Sequence, residues 1–377
     1  MGTRDKGLAL AYVILDLEIG AGGGNRTLTG SEPHGILSPA RLPVSPLRPG
    51  ALIILLVFAA AGCVRWSPPR MAAAPPGPCR TISLRWLSPD DEAERKRLAS
   101  WCAGVGDALF RSSAAVNPVP PLETITFISW NVHVGNGDIQ GFVADLRAGR
   151  LTDGRRVSHF VLMLQEATRA EGVPPFAEGA SGAAHIPARV SRSVDIMHVS
   201  RDLDLSLIYV PSMRNGRSTS DPPSDRGSAI LSTLPLSDPV AVELPGERQR
   251  RVFVLARAGD VSVGVLHLDA FGGPGRSWIF WTPWMREVQA KSLVPLLGPG
   301  PLVLGADLNT WHGTHEQAAR FFAGLPDATP VSADRPGLGV RGLDYLFFRA
   351  GADRRARYRQ AASRYGSDHH PLVGWVE

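Results

Sequence analysis

From Thr124 onward, short apolar runs alternate with stretches of helical pattern, and most of the apolar runs end in a polar, chemically capable residue. That alternation constrains the fold more than any other feature of the chain. Strands are predicted at Thr124–Ser129, Ser158–Leu164, Asp204–Val210, Gly227–Ser232, Val252–Ala256, Val261–Leu268, Leu302–Gly305, Leu343–Phe348 and Pro371–Val376. Helical patterns cover Ile139–Ala148, Val194–Asp202 and Trp284–Leu297, the last following Pro283. Such a mixture points to an α/β sandwich and away from a helical bundle or an all-β barrel. Apolar residues make up 44% of the chain, enough for a sizeable core, so disorder throughout is excluded. No stretch supplies the roughly 20 consecutive apolar residues of a membrane-spanning helix, which excludes a multi-span membrane protein.

The N-terminal third reads differently. Arg41 and Arg48 precede an apolar run, Ala51–Ala61, which closes in Ala60-Ala61-Gly62-Cys63. A basic segment, a short apolar core and small residues describe a secretory signal. The small-small-Gly-Cys ending is similar to a bacterial lipoprotein signal, in which Cys63 would carry the lipid; Ala60 stands where such signals usually have Leu. The expectation is an exported protein, held at a membrane by a lipid or signal anchor or released as a periplasmic or extracellular protein. The signal begins near residue 41, so residues 1–40 are expected to be an over-extended reading frame. Arg65–Pro78 is rich in Pro and Ala and reads as a tether. Ser88-Pro89-Asp90-Asp91 supplies a cap, an N1 proline and acidic first-turn residues for a helix over about Pro89–Ala103. Cys79 and Cys102 flank that helix and could pair in an oxidising compartment or remain two buried thiols. The chain thus divides into a signal-bearing extension (1–63), a tether with a short helix (64–123) and the main α/β domain (124–377).

The strand-end residues carry the chemistry. Glu166, Asp307 and Asp368 are hard oxygen donors suited to Mg²⁺ or Mn²⁺, and no His/Cys cluster has zinc spacing. Carboxylates, an amide and histidines together fit hydrolysis of a phosphate ester by activated water. The net charge is +5, and nearly all of the positive charge is arginine, with only three lysines, which suits phosphate contacts but does not by itself make a nucleic-acid binder. Trp278, Trp281 and Trp284 could stack on bases, enter a membrane interface or simply pack. Asp269 either orders His267 or caps its strand.

In order, the chain carries Ser129-Trp130-Asn131, Leu164-Gln165-Glu166, His267-Leu268-Asp269, Gly305-Ala306-Asp307-Leu308-Asn309, Leu343-Asp344-Tyr345 and Ser367-Asp368-His369. This series resembles the endonuclease/exonuclease/phosphatase family over about Thr124–Glu377, as does Arg226-Gly227-Ser228-Ala229-Ile230-Leu231-Ser232. The resemblance implies a four-layer fold, two mixed β-sheets packed face to face with helices outside. It implies that Glu166 and Asp368 serve a divalent metal, Mg²⁺ or Mn²⁺, and that Asn131 supports that metal or a phosphate oxygen. It implies that Asp307 activates water beside Asn309, that His369 held by Asp344 contacts the phosphate, and that His267 donates a proton. Separately, Arg226 borders the Pro/Ser-rich loop from Pro211 to Asp225, where it either grips a substrate phosphate or belongs to a solvated basic loop. The implied partner is a phosphate-ester substrate, nucleic acid or phospholipid, with no obligate protein partner. Two departures narrow the choice. His133 stands where abasic-site enzymes have an acidic residue, and Leu343-Asp344-Tyr345 replaces the Cys-Asp-Arg of the 5-phosphatases. A nuclease-like phosphodiesterase, a sphingomyelinase-like lipid phosphodiesterase and a non-catalytic binding module on the same fold stay open.

Overall fold

The computed structural model describes residues 68–113, 118–175, 193–216, 220–246, 248–270, 278–325, 328–329, 332–334, 341–351 and 353–377. The signal-like segment and Cys63 lie outside the described residues. In chain order the strands are β1 (Met71–Ala73), β2 (Arg85–Pro89), β3 (Leu109–Arg111), β4 (Ile125–Asn131), β5 (His159–Arg169), β6 (Ser206–Arg214), β7 (Asp225–Ser232), β8 (Leu236–Leu244) and β9 (Arg251–Ala258). They continue as β10 (Val261–His267), β11 (Leu302–Asp307), β12 (Ala328–Thr329), β13 (Ser332–Asp334), β14 (Arg341–Arg349), β15 (Ala356–Gln360) and β16 (Leu372–Val376). The helices are α1 (Glu92–Cys102), α2 (Ile139–Arg147), α3 (Ile196–Asp202), α4 (Trp278–Leu293) and α5 (Gln317–Ala323).

The strands form two mixed sheets. The larger runs β1-β2-β8-β9-β10-β11-β14-β12, with β13 also on β14; the smaller runs β15-β16-β4-β5-β7-β6-β3. Strand alternation sorts the side chains into layers. Ile125 and Phe127 of β4 meet Val263, Val265, Val303, Leu346 and Phe348 of the larger sheet in the central core. Ile128 and Trp130, on the opposite face of β4, pack with Phe142, Val143 and Leu146 of α2 and with Val199 of α3. Leu266, Leu304 and Phe347 pack with Ala290 and Leu293 of α4 and Phe322 of α5. The result is the α/β/β/α sandwich that the sequence motifs imply. Among the described residues, no helix is long and apolar enough to cross a membrane.

Several local expectations need correction. Within the expected tether, Met71–Ala73 is a strand that pairs with β2, and β2 pairs in parallel with β8, so residues before Thr124 extend the larger sheet. Composition conceals this because a short edge strand tolerates Pro and Ala beside it. Pro89 closes β2, and α1 starts only at Glu92, capped by Asp91, whose Oδ1 accepts the Glu94 amide at 2.9 Å. Ser88 and Pro89 are taken up by β2 in its pairing with Ala72 and Met71, so the cap passes to Asp91. The helix predicted from Trp284 begins at Trp278, with Pro283 inside it. Strand β8 is hidden in the sequence by Asp238-Pro239, and a register shift between Ser237 and Val240 accommodates the proline.

Cys79 and Cys102 form a disulfide, 23 residues apart in sequence, that ties α1 to the segment between β1 and β2. Closing a loop of that length stabilises the fold by about 3 kcal/mol in the chain-entropy account. The double variant Cys79→Ala/Cys102→Ala is therefore expected to lower the urea midpoint by that equivalent. An unchanged midpoint would show that this N-terminal arm unfolds separately from the sandwich.

Candidate active site

Alternation also aims the polar strand-end residues. On β4 the inward series Ile125, Phe127, Ser129 ends in Asn131. On β10 the series Val261, Val263, Val265 ends in His267, and on β11 Val303 and Gly305 lead to Asp307. On β14 Leu346 and Phe348 share the inward face with Asp344. Register then brings these residues level: His267 lies beside Asp307 in the parallel β10/β11 pair, and Asp307 beside Asp344 in the antiparallel β11/β14 pair. Across the sandwich, Asn131 Nδ2 donates to Asp307 Oδ2 at 2.9 Å and joins the two sheets at this point.

Glu166 reaches the site by a different route. Regular alternation along β5 points Val161 and Met163 inward and Leu162 and Leu164 outward, which would send Glu166 outward. The β5/β7 register slips between Leu164 and Ala167, and Glu166 takes φ 56°. This bulge re-aims its side chain. Its Oε2 accepts the Val134 amide at 3.1 Å, and the residue is half-buried.

Asp307 is the centre of the group. Its Oδ1 accepts the Asn309 amide at 2.9 Å, and Asn309 holds φ 51° while its Nδ2 donates to Leu268 O at 3.0 Å. Asp307 Oδ2 stands 3.6 Å from His267 Nε2 and 3.9 Å from His369 Nε2, both longer than hydrogen bonds. His369 Nδ1 lies 2.9 and 2.8 Å from the two oxygens of Asp344, so the carboxylate fixes the ring orientation. Asp307, Asp344 and His369 converge within 4.8 Å of one another, but His369 and Asp344 are spent on each other, which makes a dyad rather than a metal cage.

Burial sets the protonation. Burial and then the charge of Asp344 push the Asp307 carboxyl up to about 6, partly offset by His369 and the Asn131 and Asn309 hydrogen bonds. Burial holds His267 well below the ordinary imidazole value, reinforced by Arg251, His369 and Arg226. At neutral pH His267 is therefore a neutral ring, able to donate one hydrogen bond but not to arrive as an imidazolium.

The structure thus brings Asn131, His267, Asp307, Asn309, Asp344 and His369 together. Glu166 and Asp368 join them through one turn, with His133 Nδ1 2.9 Å from Asp368 Oδ1. Arg226 differs from expectation in its exposure: it is 1% exposed, and its Nη1 donates to Asn215 Oδ1 at 2.8 Å. Burial holds the Arg226 guanidinium below its ordinary value, and the charge of Glu166 offsets part of that cost. Arg251 was not legible as a site residue. It is buried, and Asp269, Glu166 and Asp307 offset the burial of its charge in that order. The available signal was the run Gln249-Arg250-Arg251 opening an apolar strand, where alternation forces one arginine to each face. Arg286 pairs with Glu316 at 2.6 Å, and Gln289 bridges the Asp269 amide and Pro245 O, so both are scaffold groups.

Inward carboxylates around a His–Asp dyad at one end of a two-sheet sandwich have the chemistry of a hydrolytic site. The model of the endonuclease/exonuclease/phosphatase family matches residues 128–369, nearly two thirds of the chain, and the protein belongs to that family, whose members are in general hydrolases of phosphoester bonds. No curated protein sequence matches the chain. Among solved structures it is similar to the human Nocturnin catalytic domain, at 14% identity over 72% of this chain and 97% of that one, with a TM-score of 0.42. It is also similar to the 3′ phosphatase NExo from Neisseria bound to a product DNA hairpin, at 13% identity over 67% and 99%, TM-score 0.41. A third is sphingomyelinase C from Streptomyces griseocarneus, at 17% identity over 66% and 98%, TM-score 0.35. The four-layer architecture itself rests on the sheets and cores described above.

Proposed function

We propose that the protein is a divalent-metal-dependent phosphoesterase that hydrolyses phosphodiester bonds with activated water, in the manner of a nuclease. One observation carries this reading: Asp307 sits between two imidazoles, hydrogen-bonded to Asn131 of the opposite sheet, with Glu166 and Asp368 tied to the adjoining turn. The donor set fits a hard cation, because Asn131, Glu166 and Asp368 offer amide and carboxylate oxygens and no thiolate. These three residues would hold Mg²⁺ or Mn²⁺, which supplies Lewis-acid polarisation of a phosphoryl oxygen.

The chain's own residues do the rest. Asp307 orients a water and takes its proton, a role matched to a carboxyl that titrates near 6. The Asn309 amide and the Asn131 side chain fix both Asp307 oxygens, so the base does not rotate away. Asp344 holds His369 for a hydrogen bond to the phosphate. His267, kept neutral, donates one hydrogen bond to a phosphoryl or leaving oxygen. Buried Arg226 and Arg251 supply positive potential that favours an anionic substrate.

A phospholipid reading has one observation of its own: Trp281 is 48% exposed beside Trp284, ring centroids 5.9 Å apart, on the helix that follows the His267 strand. The Arg41-to-Cys63 pattern supports the further proposal that the protein is exported and membrane-anchored.

The test is turnover of an aryl phosphodiester with Mg²⁺ or Mn²⁺. Hydrolysis that stops with chelator and returns with metal supports the proposal. A folded protein without turnover on aryl diester, DNA, RNA or phospholipid defeats it. Between substrates, steep weakening of binding with salt marks nucleic acid, and weak salt dependence marks a lipid.

A further inference from the structure

The turn after β4 is strained. His133 and Val134 hold φ of 48° and 52°, and Gly135 follows at 71°. Left-handed backbone is disfavoured for a non-glycine residue, and a β-branched valine there is an outlier. Gly135 has no substitute, because a Cβ would lie 2.1 Å from Thr168 Oγ1. Strain of this kind persists only where the surroundings impose it.

What the strained backbone achieves can be read from its donors. The His133 amide donates to Asn131 Oδ1 at 2.9 Å. The Val134 amide donates to Glu166 Oε2 at 3.1 Å, and the Gly135 amide to Glu166 O at 3.1 Å. The His133 imidazole then reaches across to the loop before β16, where its Nδ1 lies 2.9 Å from Asp368 Oδ1. That loop is fastened to the same place by Ser367 Oγ, which donates to Asn131 O at 2.7 Å. Asn136 locks the turn by donating its backbone amide and its Nδ2 to His133 O, at 3.1 and 2.8 Å. One turn therefore touches all three oxygen donors assigned above to the cation, and His133 alone touches two of them.

We propose that His133 is a positioning residue, which fixes Asp368 through its ring and Asn131 through its amide so that both meet the cation alongside Glu166. This rests on the metal-site reading of the preceding section. Groups that orient ligands typically carry 10–100-fold in metal affinity.

The test is calorimetric titration of the full chain with Mn²⁺ in the absence of substrate. His133→Ala is expected to weaken Mn²⁺ binding 10–100-fold, and His133→Asn, whose amide can still donate to Asp368, to recover most of it. Both variants should unfold at the wild-type temperature without metal, because an exposed pair of this kind contributes little stability. Mn²⁺ affinity within threefold of wild type in His133→Ala overturns the proposal, and so does His133→Asn binding as weakly as His133→Ala. Glu166→Gln separates the two levels. If it binds Mn²⁺ as the wild type does, the metal-site reading fails. If it loses Mn²⁺ while His133→Ala keeps it, only the role of His133 fails.

Discussion

Asp307→Asn is expected to fold as the wild type does and to hydrolyse an aryl phosphodiester about 10³-fold more slowly, with the loss in kcat. The magnitude is that of a general base removed. Asparagine keeps the size of the side chain and can still accept from Asn309 or Asn131, so the site stays assembled while proton acceptance ends. Stability at pH 7 should not fall, since a carboxyl whose pKa is raised by burial costs the folded state whenever it is ionised. The sign follows from the direction of the shift: that cost is absent below about pH 4, appears as pH rises and is complete above about 6. The same titration shapes activity. Only ionised Asp307 accepts a proton, so kcat/KM falls about tenfold per unit on the acid side, with the limb near or below pH 6 because a neighbouring cation favours the carboxylate. A variant retaining more than a tenth of wild-type kcat would remove Asp307 from the proton transfer.

The second large effect concerns stability. Glu243 on β8 is fully buried and accepts from Arg80 Nη2 at 2.5 Å and from Arg250 Nε and Nη2 at 3.0 and 2.7 Å. Arg250, also fully buried, further donates to Pro211 O on β6 at 2.5 Å and lies 3.2 Å from Cys79 Sγ. This network joins the larger sheet, the smaller sheet and the disulfide arm. Glu243→Ala is expected to cost about 3–5 kcal/mol in urea unfolding, because it strands a guanidinium without a counter-charge. Removing all three charges together, as Glu243→Leu/Arg80→Met/Arg250→Met, should cost less than the single change. A single variant within 1 kcal/mol of wild type would show that water reaches Arg250.

These two sites also mark what the sequence discloses. Asp307 is legible because β11 is a short apolar run with a carboxylate and an amide at its end. His267 is legible for the same reason, whereas Asp344, inside β14, and His369, in the loop before β16, are legible only through the six motifs in order, which also supply the sandwich. Glu166 is legible as a residue but not in its aim, because a bulge leaves no mark in the hydrophobic pattern. The Glu243–Arg250 network is illegible: charged residues within strands look solvent-facing until a second sheet covers them. Strand β1 is hidden by Pro/Ala composition, and its pairing with β2 overrides that local preference. His133 is visible only as an oddity of the motif. Its role depends on a loop more than 230 residues later in the chain.

The level register of His267, Asp307 and Asp344 has an evolutionary consequence. The three come from neighbouring strands, yet long connecting segments separate them in the chain. Insertions or deletions in those segments leave the ladder, and so the reactive ends, unmoved. On the proposed reading the chemistry is inherited with the sheet, while the surface that selects what enters can be rewritten piece by piece. New specificities on this scaffold should arise by loop replacement at constant catalytic machinery, and grafted connections should alter substrate choice before they alter the rate of bond cleavage.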